Sequence, residues 1–264
     1  MSAAELRAAA GAELIKVRRA VMLWATVISF LVAALVGAFF MFVLQDPARA
    51  RSLGLLGTKA QLSGGTADWP GYFALVAQMV AVGGMLLFGM ILIWLFGREF
   101  ADGTVKDLLA LPTSRAAVVV AKLVVALVWS LLLTAELVAV SLPLGVMLAL
   151  PGWSTQVLLH GVGVIVATAC LTVILTTTYA LAASWGRGYL AAVATLFVTA
   201  ITAQIVSAVG YGAWFPWAVP SLMSGVAGPD QATPGPAGIL SVIIVGVLAS
   251  TATVLWWQRA DHDR

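Results

Sequence analysis

Few side chains in this sequence could carry out catalysis, and they are too scattered to form a reactive set. The histidines His160 and His262 are predicted near opposite faces of a membrane, so they cannot share a metal ion. Ser224, which precedes Gly225, could act with His160 as an intramembrane protease, but a loop serine and an interfacial histidine explain both residues better. The single cysteine, Cys170, excludes an internal disulfide. With no G-x-x-x-x-G-K-[ST] phosphate loop, the sequence predicts no catalytic, cofactor-binding or metal-binding residue.

Three polar side chains lie within long apolar runs, where burying a polar group in the membrane costs free energy. Glu136 is the one acid so placed, and an ionisable group near the centre of a bilayer costs about 2.5–3.5 kcal/mol on insertion scales. It is predicted about six residues from the outer end of its helix, and Gln78 and Gln204 are predicted at a similar depth. These residues predict a polar layer below the outer surface. The layer is interpreted either as a substrate path or gate, or as an interhelical hydrogen-bond cluster, and the two roles are compatible.

The composition of the chain identifies lipid as the solvent for most of it. Of its 264 residues, 62% are hydrophobic and only 9% are charged, and the mean hydropathy is +1.04. Soluble domains carry roughly 25% charged residues, so a water-soluble globular protein is excluded. The net charge of +3 is typical of basic residues at the cytoplasmic face of a membrane protein and does not indicate a nucleic-acid partner.

The apolar runs predict an all-α integral membrane protein with six transmembrane helices, since each crossing needs about 20 residues. Glu136 interrupts one long tract, and Pro143, Pro151 and Gly152 are predicted to divide it into two helices. Residues 1–20 form a cytoplasmic helix, residues 21–257 the membrane domain, and residues 258–264 a cytoplasmic tail. The predicted spans are about 21–44, 72–96, 117–142, 157–184, 189–210 and 238–257.

The distribution of lysine and arginine predicts an N-in/C-in topology. Of the 14 basic residues, only Arg49, Arg51 and Lys59 would then lie outside. The cytoplasmic set is Arg7, Lys16, Arg18, Arg19, Arg98, Lys106, Arg115, Lys122, Arg187, Arg259 and Arg264. The first span is too long for a cleavable signal peptide and lacks a cleavage site.

Residues 2–20 are predicted to form an amphipathic helix on the cytoplasmic membrane surface. Ser2 and Glu5 have the spacing of a capping box. Its apolar face would contain Leu6, Ala10, Leu14, Val17 and Val21, with Glu13 and Lys16 elsewhere. The alternative is a frayed extension of the first span.

The loop between the second and third spans has an unusual pattern for a simple connector. Gly103 permits a turn, Thr104 begins a short helix, Pro112 ends it, and Thr113 or Ser114 caps the next span. The apolar residues of this short helix are Val105, Leu108, Leu109 and Pro112. Because so short a helix is marginal alone, something should cover its apolar edge. The cover is either the lipid headgroups or, as favoured here, a groove on a soluble cytoplasmic partner.

The same loop resembles that of ABC-2-type transporter permeases, in the bacterial branch of bacitracin, lantibiotic-immunity and sodium-efflux type permeases. The residues that carry the resemblance are Glu99, Phe100, Gly103, Thr104, Lys106, Leu108, Leu109, Pro112, Ser114, Arg115 and Lys122. They cover about a tenth of the chain. The six spans and the N-terminal helix agree with this family.

The resemblance implies a function and partners. Such permeases work as an identical or paralogous pair, and each binds a separate ATP-binding subunit, so two copies of that subunit are expected. The coupling residues would be Glu99, Gly103, Thr104, Val105, Lys106, Leu108, Leu109, Pro112, Ser114 and Arg115, with residues 2–20 as the connecting helix. ATP and magnesium would bind to the partner ATPase.

The sequence is therefore interpreted as the membrane subunit of an ATP-driven exporter in the bacterial plasma membrane. Its substrate would be a hydrophobic or amphipathic compound such as a peptide antibiotic, a drug or a lipid-like molecule. The first alternative is an ATP-independent secondary transporter or channel, which would leave the apolar edge of the loop unexplained. The second is a membrane-embedded enzyme, for which the catalytic set is missing.

Overall fold

The computed structural model describes residues 2–46, 48, 66–109, 113–225 and 234–259, without the side chains of Lys106 and Leu109. These residues form α-helices and short turns, and no β-strand occurs among them. The helices are α1 (Ala3–Arg18), α2 (Val21–Leu44), α3 (Trp69–Ala101), α4 (Val105–Leu109), α5 (Arg115–Met147), α6 (Thr155–Trp185), α7 (Tyr189–Ala208), α8 (Val219–Met223) and α9 (Pro236–Arg259).

Six of these helices, α2, α3, α5, α6, α7 and α9, are long and apolar enough to cross a membrane, which confirms the predicted number. The first span has the predicted ends, but α3 and α5 contain 33 residues each and extend further than predicted. At 1.5 Å per residue they are about 50 Å long, more than a hydrocarbon core of about 30 Å requires.

Proline 143 does not end its helix, contrary to the prediction. Helix α5 continues past Pro143 to Met147, so the span predicted to stop at 142 is longer at this end. A proline removes only one backbone hydrogen bond, and membrane helices tolerate that loss when neighbouring helices pack around it. Helix α3 also contains a π-helical segment, Val80–Gly84, which the apolar pattern did not predict.

Helix α6 lies at the centre of the bundle and packs against α3, α5, α7 and α9. Small residues allow this close packing: a side chain at Gly161 would clash with Phe73 of α3, and one at Gly246 would clash with Ile174. The main core contains large buried aromatic side chains, among them Phe88, Phe96 and Trp257.

Both ends of the described chain meet at one end of the bundle. The Ser114 hydroxyl donates a hydrogen bond to Glu5 (3.1 Å), and Arg115 donates to the carbonyl of Trp257 (3.3 Å). At the opposite end, Gln45 donates to the carbonyl of Leu148. An even number of spans places the two termini on the same side of a membrane, as these contacts require.

Helix α1 follows the first turns of α5. The Ser2–Glu5 capping box is present, as predicted. Glu5 contacts Ser114 and Glu13 contacts Lys122, so the partners lie 109 residues apart in both pairs. Because both pairs have the same offset, α1 runs alongside α5 in the same direction.

The face that α1 buries differs from the predicted one. Its buried residues are Ala9, Glu13 and Val17, whereas Leu14 is 52% exposed. Glu13 was expected on the polar face, but lysines from α1 and α5 neutralise its charge and allow it to be buried. A two-residue break at Arg19 and Ala20 separates α1 from α2, so α1 is not a continuous extension of the first span. Its contact with lipid headgroups stays a prediction.

The aromatic segment after α7 folds back against the bundle. It contains two short 3₁₀ turns, Gly212–Trp214 and Pro216–Ala218, followed by α8. Trp217 packs beside a buried cluster that includes Leu171 and Val242, while Trp214 remains 73% exposed. Part of the segment is thus buried among helices, and part is positioned as an interfacial aromatic would be.

Candidate functional site

Four charged side chains form a buried ion-pair cluster that joins α1, α3 and α5. It consists of Glu13, Lys16, Glu99 and Lys122. The ammonium of Lys122 lies 3.0 Å from Glu13 Oε2 and 2.9 Å from Glu99 Oε1. Lys16 lies 2.9 Å from Glu13 Oε1 and 2.8 Å from Glu99 Oε1. Each lysine therefore bridges the same two carboxylates, and the four formal charges sum to zero.

Lys122 is the most deeply buried member of this ion-pair cluster. It is 0% exposed and also donates to the backbone carbonyl of Leu95, at 2.8 Å. Glu13 and Glu99 are buried as well, at 2% and 4% exposed. Removing one partner of a buried pair leaves an uncompensated charge and costs about 3–5 kcal/mol. The ion-pair cluster therefore holds α1 firmly against α3 and α5.

Lys16 is the part of the ion-pair cluster closest to solvent. Burial by itself would lower the pKa of Lys16, but the nearby carboxylates of Glu13 and Glu99 outweigh it and raise the pKa above the ordinary 10.5. Lys16 is consequently charged at neutral pH and remains paired.

Glu99 also connects the ion-pair cluster to the loop between α3 and α5. The Thr104 hydroxyl donates to Glu99 Oε2 at 2.7 Å. Gly103 adopts a positive φ of 68°, as its predicted turn requires, and α4 begins at Val105, directly after Thr104. The start of α4 is thus fixed to the same carboxylate that pairs with both lysines.

The predicted apolar edge of α4 is partly covered by the chain itself. Val105 is 6% exposed, and Leu108 is half-buried against the main core. Asp107, by contrast, is exposed. Val105 is therefore covered by the protein's own bundle, which neither predicted alternative named, and the cover of the rest of the edge stays a prediction. The part of the chain that the structure describes does not include Pro112 or the side chains of Lys106 and Leu109.

A second set of contacts ties the start of α5 to both chain ends. Ser114 caps α5 by accepting a hydrogen bond from the amide of Ala117, as predicted, while its hydroxyl donates to Glu5. Arg115 donates to the carbonyls of Trp257 and Gln258 at the end of α9. The loop residues at 114 and 115 thus connect α1, α5 and α9.

The three polar residues predicted to form one layer lie in different surroundings. Glu136 lines a groove with α1 and α2, whereas Gln204 lines a cavity with Val82 of the π-helical segment and Trp217. These two depressions share no lining residue. Gln78 is half-buried on α3. Glu136 lies 11 residues before the end of α5, deeper than predicted, because α5 extends beyond Pro143.

His160 and Ser224 line the same cavity, together with Phe73 and Met223. Ser224 is 3% exposed, and its hydroxyl donates to the carbonyl of Ser221 at 2.8 Å. Among the described residues that line this cavity, none carries a carboxylate. The described part of the cavity therefore shows no third member that could orient the histidine of a hydrolytic triad.

Sequence reasoning did not identify the ion-pair cluster. Glu99 and Lys122 were singled out through a family resemblance, and Lys16 was used to orient the chain and was placed away from the apolar face of the N-terminal helix. Glu13 was assigned to a polar face. The available signal was the position of Lys122 and Glu99 inside the ends of long apolar helices, where a charge requires a partner.

Comparisons with known proteins are consistent with the resemblance found in the loop. A family model described as "ABC-2 family transporter protein" matches residues 11–203. The chain is 29% identical over 179 residues to the bacitracin transport permease protein BCRB of Bacillus licheniformis, which covers 67% of this chain and 85% of that protein. No solved structure gives a significant match. The region matched by the family model contains all four residues of the ion-pair cluster.

Proposed function

This chain belongs to the ABC-2 family of transporter proteins and is a membrane subunit of an ABC transporter, and we propose that it exports a hydrophobic or amphipathic compound. Its similarity to a bacitracin transport permease supports a substrate such as a peptide antibiotic, a drug or a lipid-like molecule. The family implies an ATP-binding partner subunit, which would supply the ATP and magnesium site.

The proposed coupling element is the end of the bundle that contains α1, α4 and the ion-pair cluster. The observation that carries this proposal is the position of Glu99, which pairs with Lys16 of α1 and Lys122 of α5 and accepts a hydrogen bond from Thr104. A force applied to α4 would reach three helices through one buried carboxylate. Because breaking such a buried pair is expensive, these elements would move together.

The contact surface for the ATP-binding subunit would lie on the exposed side of α4. Val105 is already buried in the chain, so it supports α4 from within. Asp107 and the exposed part of Leu108 are then the described side chains available to a partner. Gly103, Ser114 and Arg115 would shape and anchor this surface without contributing most of the contact.

The proposed complex contains two permeases, identical or paralogous, and two ATP-binding subunits. The permease would lie in the plasma membrane of a bacterium, with both termini in the cytoplasm. The excess of lysine and arginine at the end that contains α1 and α4 supports this orientation. It would place the ion-pair cluster on the side where ATP is available.

The test is a charge reversal at the proposed contact surface. The permease carrying Asp107→Arg would be produced together with its ATP-binding subunit and reconstituted in proteoliposomes. We expect weaker co-purification of the ATPase and a loss of ATP-driven transport, with no change in thermal unfolding, because Asp107 is exposed.

Thr155→Arg provides the control, since Thr155 is an exposed residue at the other end of the bundle. It should retain ATPase binding and transport. Full ATPase binding and transport by Asp107→Arg would contradict the proposed coupling surface. Substrate uptake by the permease alone, without ATP, would favour the ATP-independent transporter.

A further inference from the structure

Glu136 lies near the middle of the membrane span, a conclusion that follows from the register of α2 and α5. The indole of Trp129 donates to the Thr26 hydroxyl at 3.2 Å, and Gln45 donates to the carbonyl of Leu148 at 2.7 Å. Both pairs are 103 residues apart in the sequence. The two helices therefore run in parallel, and Glu136 lies level with residue 33, halfway along α2.

At this depth Glu136 lines a groove of about 470 Å³ between α1, α2 and α5. The groove is otherwise almost wholly apolar, and its walls include Leu14, Val27, Val128 and Leu132. Within the described part of the chain, no side chain donates a hydrogen bond or forms an ion pair with Glu136.

Arg18 is the one cationic residue among the described residues that line the groove, and it is too distant to neutralise this carboxylate. Arg18 lies at the end of α1, and the offset of 109 residues places it beside residue 127 of α5. Nine residues of helix separate that level from Glu136, which is about 14 Å. A membrane-depth carboxylate without a partner marks a functional site by default, and the missing partner here is a positive charge.

The walls of the groove restrict the kind of cation that fits. A compact ammonium is strongly hydrated, and the groove offers little besides one carboxylate to replace its lost water. A cation with a delocalised or shielded charge loses less hydration and gains contact with the apolar walls. Trp129 lines the same face seven residues from Glu136, about 10 Å away along the axis, and extends the apolar wall that such a cation would contact.

We propose that this groove binds a bulky lipophilic cation, whose charge pairs with Glu136 and whose apolar groups contact α2 and α5. An anionic lipid held by Arg18 is the competing occupant. The cation is favoured because Arg18 is exposed at the end of α1, where water can solvate it, whereas Glu136 lies at mid-span. The inference rests on the proposed transport function, since it names the class of compound exported.

The experiment measures binding to the purified permease in lipid nanodiscs, without any ATP-binding subunit. The probe is tetraphenylphosphonium, and tetraphenylborate provides an anion of similar size and shape. We expect saturable binding of the phosphonium and no saturable binding of the borate. E136Q should weaken it by at least about tenfold, E136D should retain it within a few-fold, and D46N, which removes a carboxylate from the end of α2, should leave it unchanged.

Equal binding of the phosphonium to the wild type and a folded E136Q would overturn the inference. Saturable binding of the borate would overturn it in favour of an anion site at Arg18. Misfolding of E136Q, detected by thermal unfolding, would transfer the test to E136D and to competition between the two probes. Saturable phosphonium binding in a complex that shows no ATP-driven transport would contradict only the proposed function. ATP-driven transport by a complex whose permease does not bind the phosphonium would contradict only this inference.

Discussion

The two most informative carboxylates of this protein, Glu99 and Glu136, lie on long helices of the same bundle and have opposite surroundings. Glu99 is 4% exposed and is in contact with Lys16, Lys122 and Thr104. Glu136 is half-buried in an apolar groove and has no such partner among the described residues. The comparison separates two roles of a buried or half-buried charge. The carboxylate of Glu99 connects parts of the protein, whereas the carboxylate of Glu136 is available to a ligand.

The comparison predicts the largest effect at the centre of the ion-pair cluster. Lys122→Met would leave Glu13 and Glu99 with only one lysine between them. We expect the free energy of unfolding to fall by about 3–5 kcal/mol, measured by chemical unfolding in detergent with tryptophan fluorescence. The double variant Lys122→Met with Glu99→Gln removes one charge of each sign and should recover part of the loss. Wild-type stability of Lys122→Met would contradict the role of the ion-pair cluster.

A smaller loss is expected where α1 and α5 are joined by a single uncharged hydroxyl. Ser114→Ala removes both the cap of α5 and the hydrogen bond to Glu5. We expect a destabilisation of about 1 kcal/mol, which is typical of a lost helix cap. Ser154→Ala, which removes the cap of α6 at the opposite end, is the matched control for a cap without a partner. Equal losses in the two variants would show that the Glu5 contact adds nothing.

Removing the charge of Glu136 should change protein stability in the opposite direction, without a loss in the free energy of unfolding. Glu136→Gln removes a charge that no described residue compensates, so the unfolding temperature should stay the same or rise slightly, by an amount equivalent to less than about 1 kcal/mol. Glu99→Gln, measured in parallel, should lower the unfolding temperature because it removes a paired charge. A loss at Glu136 as large as that at Glu99 would mean that Glu136 also has a structural partner.

The smallest effect concerns the pH dependence of stability. The pKa of Lys16 is raised by its carboxylate partners, so its contribution is fully present below the unfolded value near 10.5 and is lost as the pH rises through the folded value. The difference in unfolding temperature between the wild type and Lys16→Met should therefore be constant from pH 7 to about pH 10 and should shrink above that range. A difference that grows with pH would contradict the ion pairs of Lys16.

Local features of this fold were predictable, because neighbouring residues determine them. Apolar runs identified the six spans, and the ends of the first span and the Ser2–Glu5 capping box were predicted correctly, while Ser114 is one of the two residues predicted to cap α5. Composition and capping chemistry depend on residues within a few positions of one another.

The features that sequence reasoning missed depend on contacts between distant segments. Glu13 and Lys122 are 109 residues apart, and only the packing of α1 against α5 shows that one neutralises the other. The burial of Val105 likewise depends on the bundle that α4 contacts. The continuation of α5 past Pro143 depends on neighbouring helices, and it also moved Glu136 deeper than the sequence predicted.

We propose that α4, supported by the ion-pair cluster, contacts an ATP-binding subunit. A photo-crosslinking amino acid at position 107, in cells that produce both proteins, would detect this contact, with position 155 as the control site. We expect a crosslink from position 107 to the ATP-binding subunit and none from position 155. Crosslinks from position 107 to lipid alone, in cells where the two subunits co-purify, would contradict this proposal.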